Sequence, residues 1–245
     1  VYSWFDPLTL IRAVASARER EPRIRLFFLG TRHPGVDEMG IVREAFELAS
    51  ELGVEGREVI FNDTWVPYDR RGAYLVEANA GVSTHHVHVE TTFSFRTRIL
   101  DYLWAGLPMV VTEGDHFAAV VEAEGLGVVV RDGDVAGLAA ALERVLFDEA
   151  FAAEARVNIA RVREQYLWPV VLEPLVRFMR DPRPARDRGT DGSIVARGGA
   201  KPLRAPQRQK GFVNDVKLAG FYLRNGGPAA VWQKTTERLR RRFSF

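Results

Sequence analysis

Ser94, Arg96, Arg98 and Asp101 lie within eight residues, ahead of the break Gly106-Leu-Pro108 and the apolar run Met109 to Thr112. A serine that opens a helix accepts a backbone N–H, and the first-turn amides then present the positive end of the helix dipole. Such a turn is a cradle for phosphate. Arg96 and Arg98 add guanidinium groups, which grip phosphate oxygens in a bidentate way that lysine cannot. Asp101, two helical turns after Ser94, shares its face, so phosphates at the helix start would bring sugar hydroxyls to this carboxylate. A solvated charged helix face is the plainer reading of the same residues. Gly106 ends the helix in a left-handed conformation and Pro108 turns the chain into a strand.

The elements that position these groups alternate. Asp6-Pro7 reads as an N-cap with proline at the first helical position, followed by apolar Leu8, Ile11, Val14 and Ala15. Strands are expected over 24–29, 59–61, 80–84, 109–112 and 126–130, and helices over 37–52, 70–79, 94–105, 115–124 and 135–147. Strict alternation implies parallel strands with crossover helices, an α/β doubly wound sheet of Rossmann-like type. Ligands of such sheets bind beyond the carboxyl ends of the strands. The loops at that edge hold Gly30, 62–67, 84–94 and 112–115.

Each edge loop offers a group. Gly30 opens a turn that lets a ligand approach the backbone, and Arg32 in the same turn can reach phosphate or solvent equally well. The turn is not Gly-x-Gly-x-x-Gly, which disfavours a dinucleotide-dependent oxidoreductase. Trp65 and Val66 follow the second strand, where Trp65 could stack on a base or pack in an interface. His85, His86, His88 and Glu90 form the densest ionisable cluster, but alternation along an extended loop sends side chains to opposite faces, so no metal site is expected.

Asp101-Tyr-Leu-Trp-Ala-Gly-Leu-Pro-Met-Val-Val-Thr112 resembles the Glu-Ala-x-Ala-x-Gly-x-Pro-Val-Val-x-Thr segment in the C-terminal domain of GT-B fold, family 4 type (group 1) retaining glycosyltransferases. The order of elements over about residues 1–178 agrees with it. The resemblance implies that Asp101 contacts the donor ribose and that the amides of Phe95, Arg96 and Thr97 hold the diphosphate, with Arg96 standing where the family has glycine. It also implies that the loop at Trp65 and Val66 meets the nucleobase, and that no cofactor and no divalent metal is needed beyond a UDP- or GDP-linked sugar. The family's second acidic residue falls on Phe93, and Glu90 is the nearest substitute. Glycosyl transfer develops positive charge at the anomeric carbon and negative charge on the leaving diphosphate. Glu90 is therefore expected to stabilise the first, Arg96 and Arg98 the second, and His88 to bond a sugar hydroxyl. Family members carry an acceptor domain before such a segment, so this chain reads as the donor-binding half, transferring to a polysaccharide or lipid-linked acceptor once that domain is present.

Composition narrows the classes further. The absence of cysteine excludes structural disulfides and thiolate metal sites. No apolar run reaches the roughly 18 residues of a membrane-spanning helix. The net charge of +2 conceals an asymmetry: residues 181–245 hold 15 Lys and Arg against 5 Asp and Glu, a net of +10, which leaves −8 for residues 1–180. An acidic main body disfavours nucleic acid as a partner. The reading is thus a donor domain over 1–180, a flexible linker over 181–211 and a basic amphipathic tail over 212–245, the tail meeting either an anionic inner membrane surface or the protein's own acidic domain. A cytoplasmic location follows, peripheral to the membrane in the first case. A non-catalytic assembly protein of the same fold stays open as the alternative, because of Phe93.

Overall fold

The computed structural model describes residues 4–183 except 32, 33, 36 and 38. The basic tail, nearly all of the linker and Arg32 lie outside the described residues. Ten α-helices and five short strands are described between Pro7 and Arg180, alternating up to α7 except at the pair α4 and α5: α1 Pro7–Ala17, β1 Leu26–Phe28, α2 Gly40–Glu51, β2 Val59–Phe61, α3 Arg71–Glu77, β3 Gly81–Ser83, α4 Val89–Phe93, α5 Arg98–Ala105, β4 Met109–Thr112, α6 His116–Glu124, β5 Gly127–Val130, α7 Val135–Phe147, α8 Glu149–Val162, α9 Trp168–Val171 and α10 Glu173–Arg180.

All strand pairs in these sheets are parallel, as the alternation requires. The hydrogen-bonded ladder runs in two parts, β1-β2 and β3-β4-β5, rather than through one continuous sheet. One core joins the two parts, because Leu26 and Val59 pack in the same cluster as Val110 and Val130. β4 shows why the arrangement is doubly wound. Val110 faces that cluster while Met109 and Val111 face a second one with Ile99, Leu103, Phe117 and Ile159, so the strand is apolar on both faces and buried on both.

Local signals explain the ends nearest the ligand edge. Asp6 caps α1 by accepting from the Thr9 amide at 3.0 Å. The same segment then clips onto β3: the Asp6 amide donates to Thr84 O and the Thr84 hydroxyl to Asp6 O, at 3.1 and 2.7 Å. Gly106 closes α5 with φ +71°, as its position predicts. Gly81 is required for another reason. A Cβ there would lie 2.5 Å from the Tyr102 ring, whose hydroxyl donates to Val82 O.

Three expectations are corrected. The helix expected over 94–105 begins only at Arg98, as α5; residues 94–97 form a turn that follows a separate short helix, α4, in the stretch expected as a loop. The helix expected from Asp37 begins at Gly40, after Met39, whose side chain makes no cap bond. Residues 151–180 read in sequence as helices with Phe151, Ala155, Ile159, Val162, Leu167, Val171 and Leu175 available to bury; Ala155, Ile159 and Val162 are buried, whereas Leu167, Val171 and Leu175 are exposed.

Candidate functional site

The carboxyl ends of the strands bring residues 84–101 and 113–115 together, and the break between α4 and α5 lies at the centre of that edge. Ser94 is the C-cap of α4, not the N-cap of α5: its amide and its hydroxyl both donate to Thr91 O, at 3.2 and 3.3 Å. The three amides that follow, on Phe95, Arg96 and Thr97, have no backbone acceptor among the described residues. Their turn is held in place by Phe95, whose ring packs on that of Phe117 in α6 with centroids 4.6 Å apart. A turn of unspent N–H donors, fixed from below, suits an anion.

Arg96 is turned inward. Its side chain is only 5% exposed and its two terminal nitrogens meet the Glu90 carboxylate at 2.9 and 3.4 Å, while Nε lies 3.8 Å from Asp115 Oδ2. Asp115 is itself the N-cap of α6, accepting from the Ala118 amide at 2.8 Å. Arg96 therefore ties the α4 entry to the α6 entry instead of reaching out to a ligand. The cause is electrostatic: two carboxylates, Glu90 and Asp115, flank the buried guanidinium and offset its charge. Arg98 is engaged as well, 3.9 Å above the Phe5 ring, and burial lowers the pKa of its guanidinium.

Glu90 keeps half of its side chain in solvent while Arg96 holds the carboxylate in one orientation. His88, the N-cap of α4, accepts the Glu90 amide at Nδ1, 3.1 Å away. In the neutral ring the proton then resides on Nε2, a donor for a ligand hydroxyl. Phe93, where the resemblance expects an acid, is 84% exposed. Beneath the turn, His85 is buried and neither ring nitrogen has a hydrogen-bond partner. Burial pushes its pKa down, outweighing the Asp115 carboxylate, so the ring is neutral.

Asp6, His86 and Asp132 place one ligand atom each within 4.8 Å of one another. Each carboxylate already serves the backbone: Asp6 accepts from the Thr9 amide, and Asp132 from the Val87 amide at 2.8 Å and from His86 at 3.1 Å. Burial alone would raise the Asp132 carboxyl, but the Val87 amide and His86 hold it below its ordinary value. The trio is a staple joining α1, the β3 loop and the β5 loop.

Asp101 lies on α5, half-buried, with Oδ2 3.4 Å from the Arg71 guanidinium at the start of α3. Arg71, which the sequence does not single out, is thus the partner of Asp101; no spacing in the 70–79 helix signals that contact. Gly30 and Trp65 are exposed and Val66 is half-buried, on the loops after β1 and β2. Two grooves flank β5. One, about 500 Å³, runs past Glu113, Asp115, Glu122 and Arg131; the other, about 360 Å³, lies against α7, and neither is lined by a residue of the 84–101 segment.

Residues 6–148 match the family described as Glycosyl transferases group 1. The chain belongs to that family. As a group 1 family member it shares its fold with solved GT-B structures at low identity. WaaG, a glycosyltransferase involved in lipopolysaccharide biosynthesis, is 19% identical with a TM-score of 0.54, over 71% of this chain and 43% of WaaG. The C-terminal domain of the group 1 family protein LpcC from Francisella tularensis is 13% identical with a TM-score of 0.58, over 69% of this chain and 83% of that domain. A trehalose-6-phosphate protein from E. coli bound with UDP-2-fluoro glucose is 14% identical with a TM-score of 0.54, over 75% of this chain and 43% of the other. The group 1 chain thus spans less than half the length of WaaG and of the E. coli protein. No curated protein matches its sequence. No helix among the described residues is long and apolar enough to cross a membrane.

Proposed function

We propose that this chain is the donor-binding half of a glycosyltransferase, holding a nucleotide-diphospho-sugar whose sugar passes to a glycan or lipid-linked acceptor bound by a further domain. The observation that carries the reading is the turn Phe95 to Thr97: three amides without backbone acceptors, followed by the partly exposed Asp101 in the first turn of α5. The likeness to the LpcC domain and to a protein solved with UDP-2-fluoro glucose supports it. An open edge, not an enclosed pocket, suits a cleft completed by a second domain.

In this reading the diphosphate lies on the 95–97 amides, which take up the negative charge as the glycosidic bond to phosphate breaks. The leaving group departs as an anion and needs no proton from the protein. Asp101 accepts from ribose hydroxyls. Glu90 faces the positive charge that develops at the anomeric carbon, fixed there by Arg96, and His88 Nε2 donates to a sugar hydroxyl. The role of Arg96 thereby changes from phosphate clamp to positioning residue. Retention of configuration and independence from a divalent metal belong to the same proposal and follow the family resemblance. A peripheral membrane role for the tail is proposed on its charge alone.

Thermal shift with UDP and GDP tests the reading, since a ligand of the native state raises its apparent stability. A raised midpoint that disappears in Asp101→Asn is the expected outcome. An unchanged midpoint with either nucleotide at millimolar concentration would reject it.

A further inference from the structure

The Arg71 guanidinium is held on two sides and spends none of its donors in a hydrogen bond. Its plane lies 4.0 Å over the Tyr68 ring, one terminal nitrogen sits 3.4 Å from Asp101 Oδ2, and Nε is buried without a hydrogen-bond partner. The remainder of the side chain is about one-third exposed. Stacking on an aromatic face and pairing with a carboxylate fix a planar fork, so little rotational freedom is left to lose when it binds an acceptor. A pre-oriented set of N–H groups with no internal acceptor is a recognition element.

Its position in the fold says which part of a ligand it meets. Asp101 follows the diphosphate turn at 95–97 by four residues and pairs with Arg71, and Arg71 follows directly on the segment after β2, which carries the exposed rings of Trp65 and Tyr68. If ribose lies at Asp101, the next moiety along this path is the base. Arginine donates only, so it favours a base edge made of acceptors. Guanine offers O6 and N7, and uracil offers O4; adenine and cytosine place an exocyclic amine at that point, where two donors would oppose each other.

We propose that Arg71 is the residue by which this protein selects a keto base, reading the acceptor edge of a uridine or guanosine diphosphate while bracing the ribose-binding Asp101. The inference rests on the donor-site reading and goes beyond it in naming the base class and the residue that enforces it. The pairing also accounts for a shortened carboxylate at 101. Aspartate has one methylene fewer than glutamate and so a shorter reach, and the ion pair to Arg71 holds its Oδ2.

Isothermal titration of the 245-residue chain with UDP, GDP, ADP and CDP provides the test. The expected result is that UDP and GDP bind at least about tenfold more tightly than ADP and CDP, the size of discrimination one good arginine–base contact gives. Arg71→Met, which keeps the stem over Tyr68 but has no donors, should weaken UDP and GDP about tenfold and abolish the preference. Arg71→Lys, also a donor without an acceptor, should keep the order between bases at reduced affinity, because a point charge braces Asp101 but lacks the planar fork. Circular dichroism of each variant confirms folding. Arg71→Met binding UDP and GDP like the unsubstituted chain, while Asp101→Asn loses them, would overturn the assignment of Arg71 and leave the donor site standing. No binding of any of the four nucleotides would overturn both.

Discussion

Removing the Arg96 side chain should destabilise the protein through Asp115 more than through Glu90. Arg96 is buried and stands between two carboxylates of very different exposure: Glu90 is 47% exposed, whereas Asp115 is 4% exposed. In Arg96→Met the volume is nearly kept, Glu90 returns to water at little cost, and Asp115 stays buried beside an apolar group. Breaking a fully buried pair costs about 3–5 kcal/mol, and exposed pairs contribute about 0–1 kcal/mol. With one partner solvated and the other still bonded to the Ala118 amide, the expected loss is about 2 kcal/mol, between those limits. Asp115→Asn alone should cost less than about 1 kcal/mol, since asparagine caps a helix nearly as well. The informative quantity is the double variant. If Asp115 is the source of the penalty, Arg96→Met combined with Asp115→Asn should be more stable than the sum of the single changes by about 1 kcal/mol. Urea unfolding followed by circular dichroism, with equal slopes in all four proteins, measures each corner of the cycle. Strict additivity would refute the coupling, and an Arg96→Met protein as stable as its parent would show that the inward pair contributes nothing.

Two further outcomes follow from the same edge. His85 is buried with its pKa below the ordinary 6.5, so the unfolded chain takes up the proton first and stability falls as pH drops below about 6.5; urea midpoints at about pH 7.5 and 5.5 should differ in the parent and converge in His85→Leu, and an equal drop in both would exclude His85 as the cause. The lowered Asp132 carboxyl contributes only at much lower pH, with stability present above its ordinary 3.8 and lost below it, so it does not confuse that window. Gly81→Ala should lose about 1–3 kcal/mol, because its Cβ forces the Tyr102 ring off β3; a melting midpoint unchanged from the parent would contradict the packing described.

Much of the architecture could be read from local chemistry. Asp6-Pro7 and Gly106-Leu-Pro108 mark helix ends whose cause lies within four residues, and the uninterrupted apolar β4 announces a strand buried on both faces. The site was less legible because its determinants are distant in sequence. Ser94 has the composition of an N-cap, but the Arg96 side chain is drawn to Glu90 behind it and to Asp115 on another element, and the backbone between α4 and α5 opens to allow that path. No helical spacing encodes a pair six residues apart across a break. The partner of Asp101 was hidden in the same way, since Arg71 is thirty residues earlier and meets it only through the packing of α3 on α5. The exposed Leu167, Val171 and Leu175 show the converse: periodicity reports which face is apolar and not whether anything covers it.

Amide chemical-shift mapping during titration with UDP and GDP reports directly on whether a diphosphate lies at the turn between α4 and α5. The Phe95, Arg96 and Thr97 amides should shift together and saturate with one binding constant, with Asp101 responding at the same concentrations. Nucleotide-dependent shifts confined to other loops, or amides at 95–97 that stay in place throughout the titration, would remove the diphosphate from this turn and the proposed donor site with it.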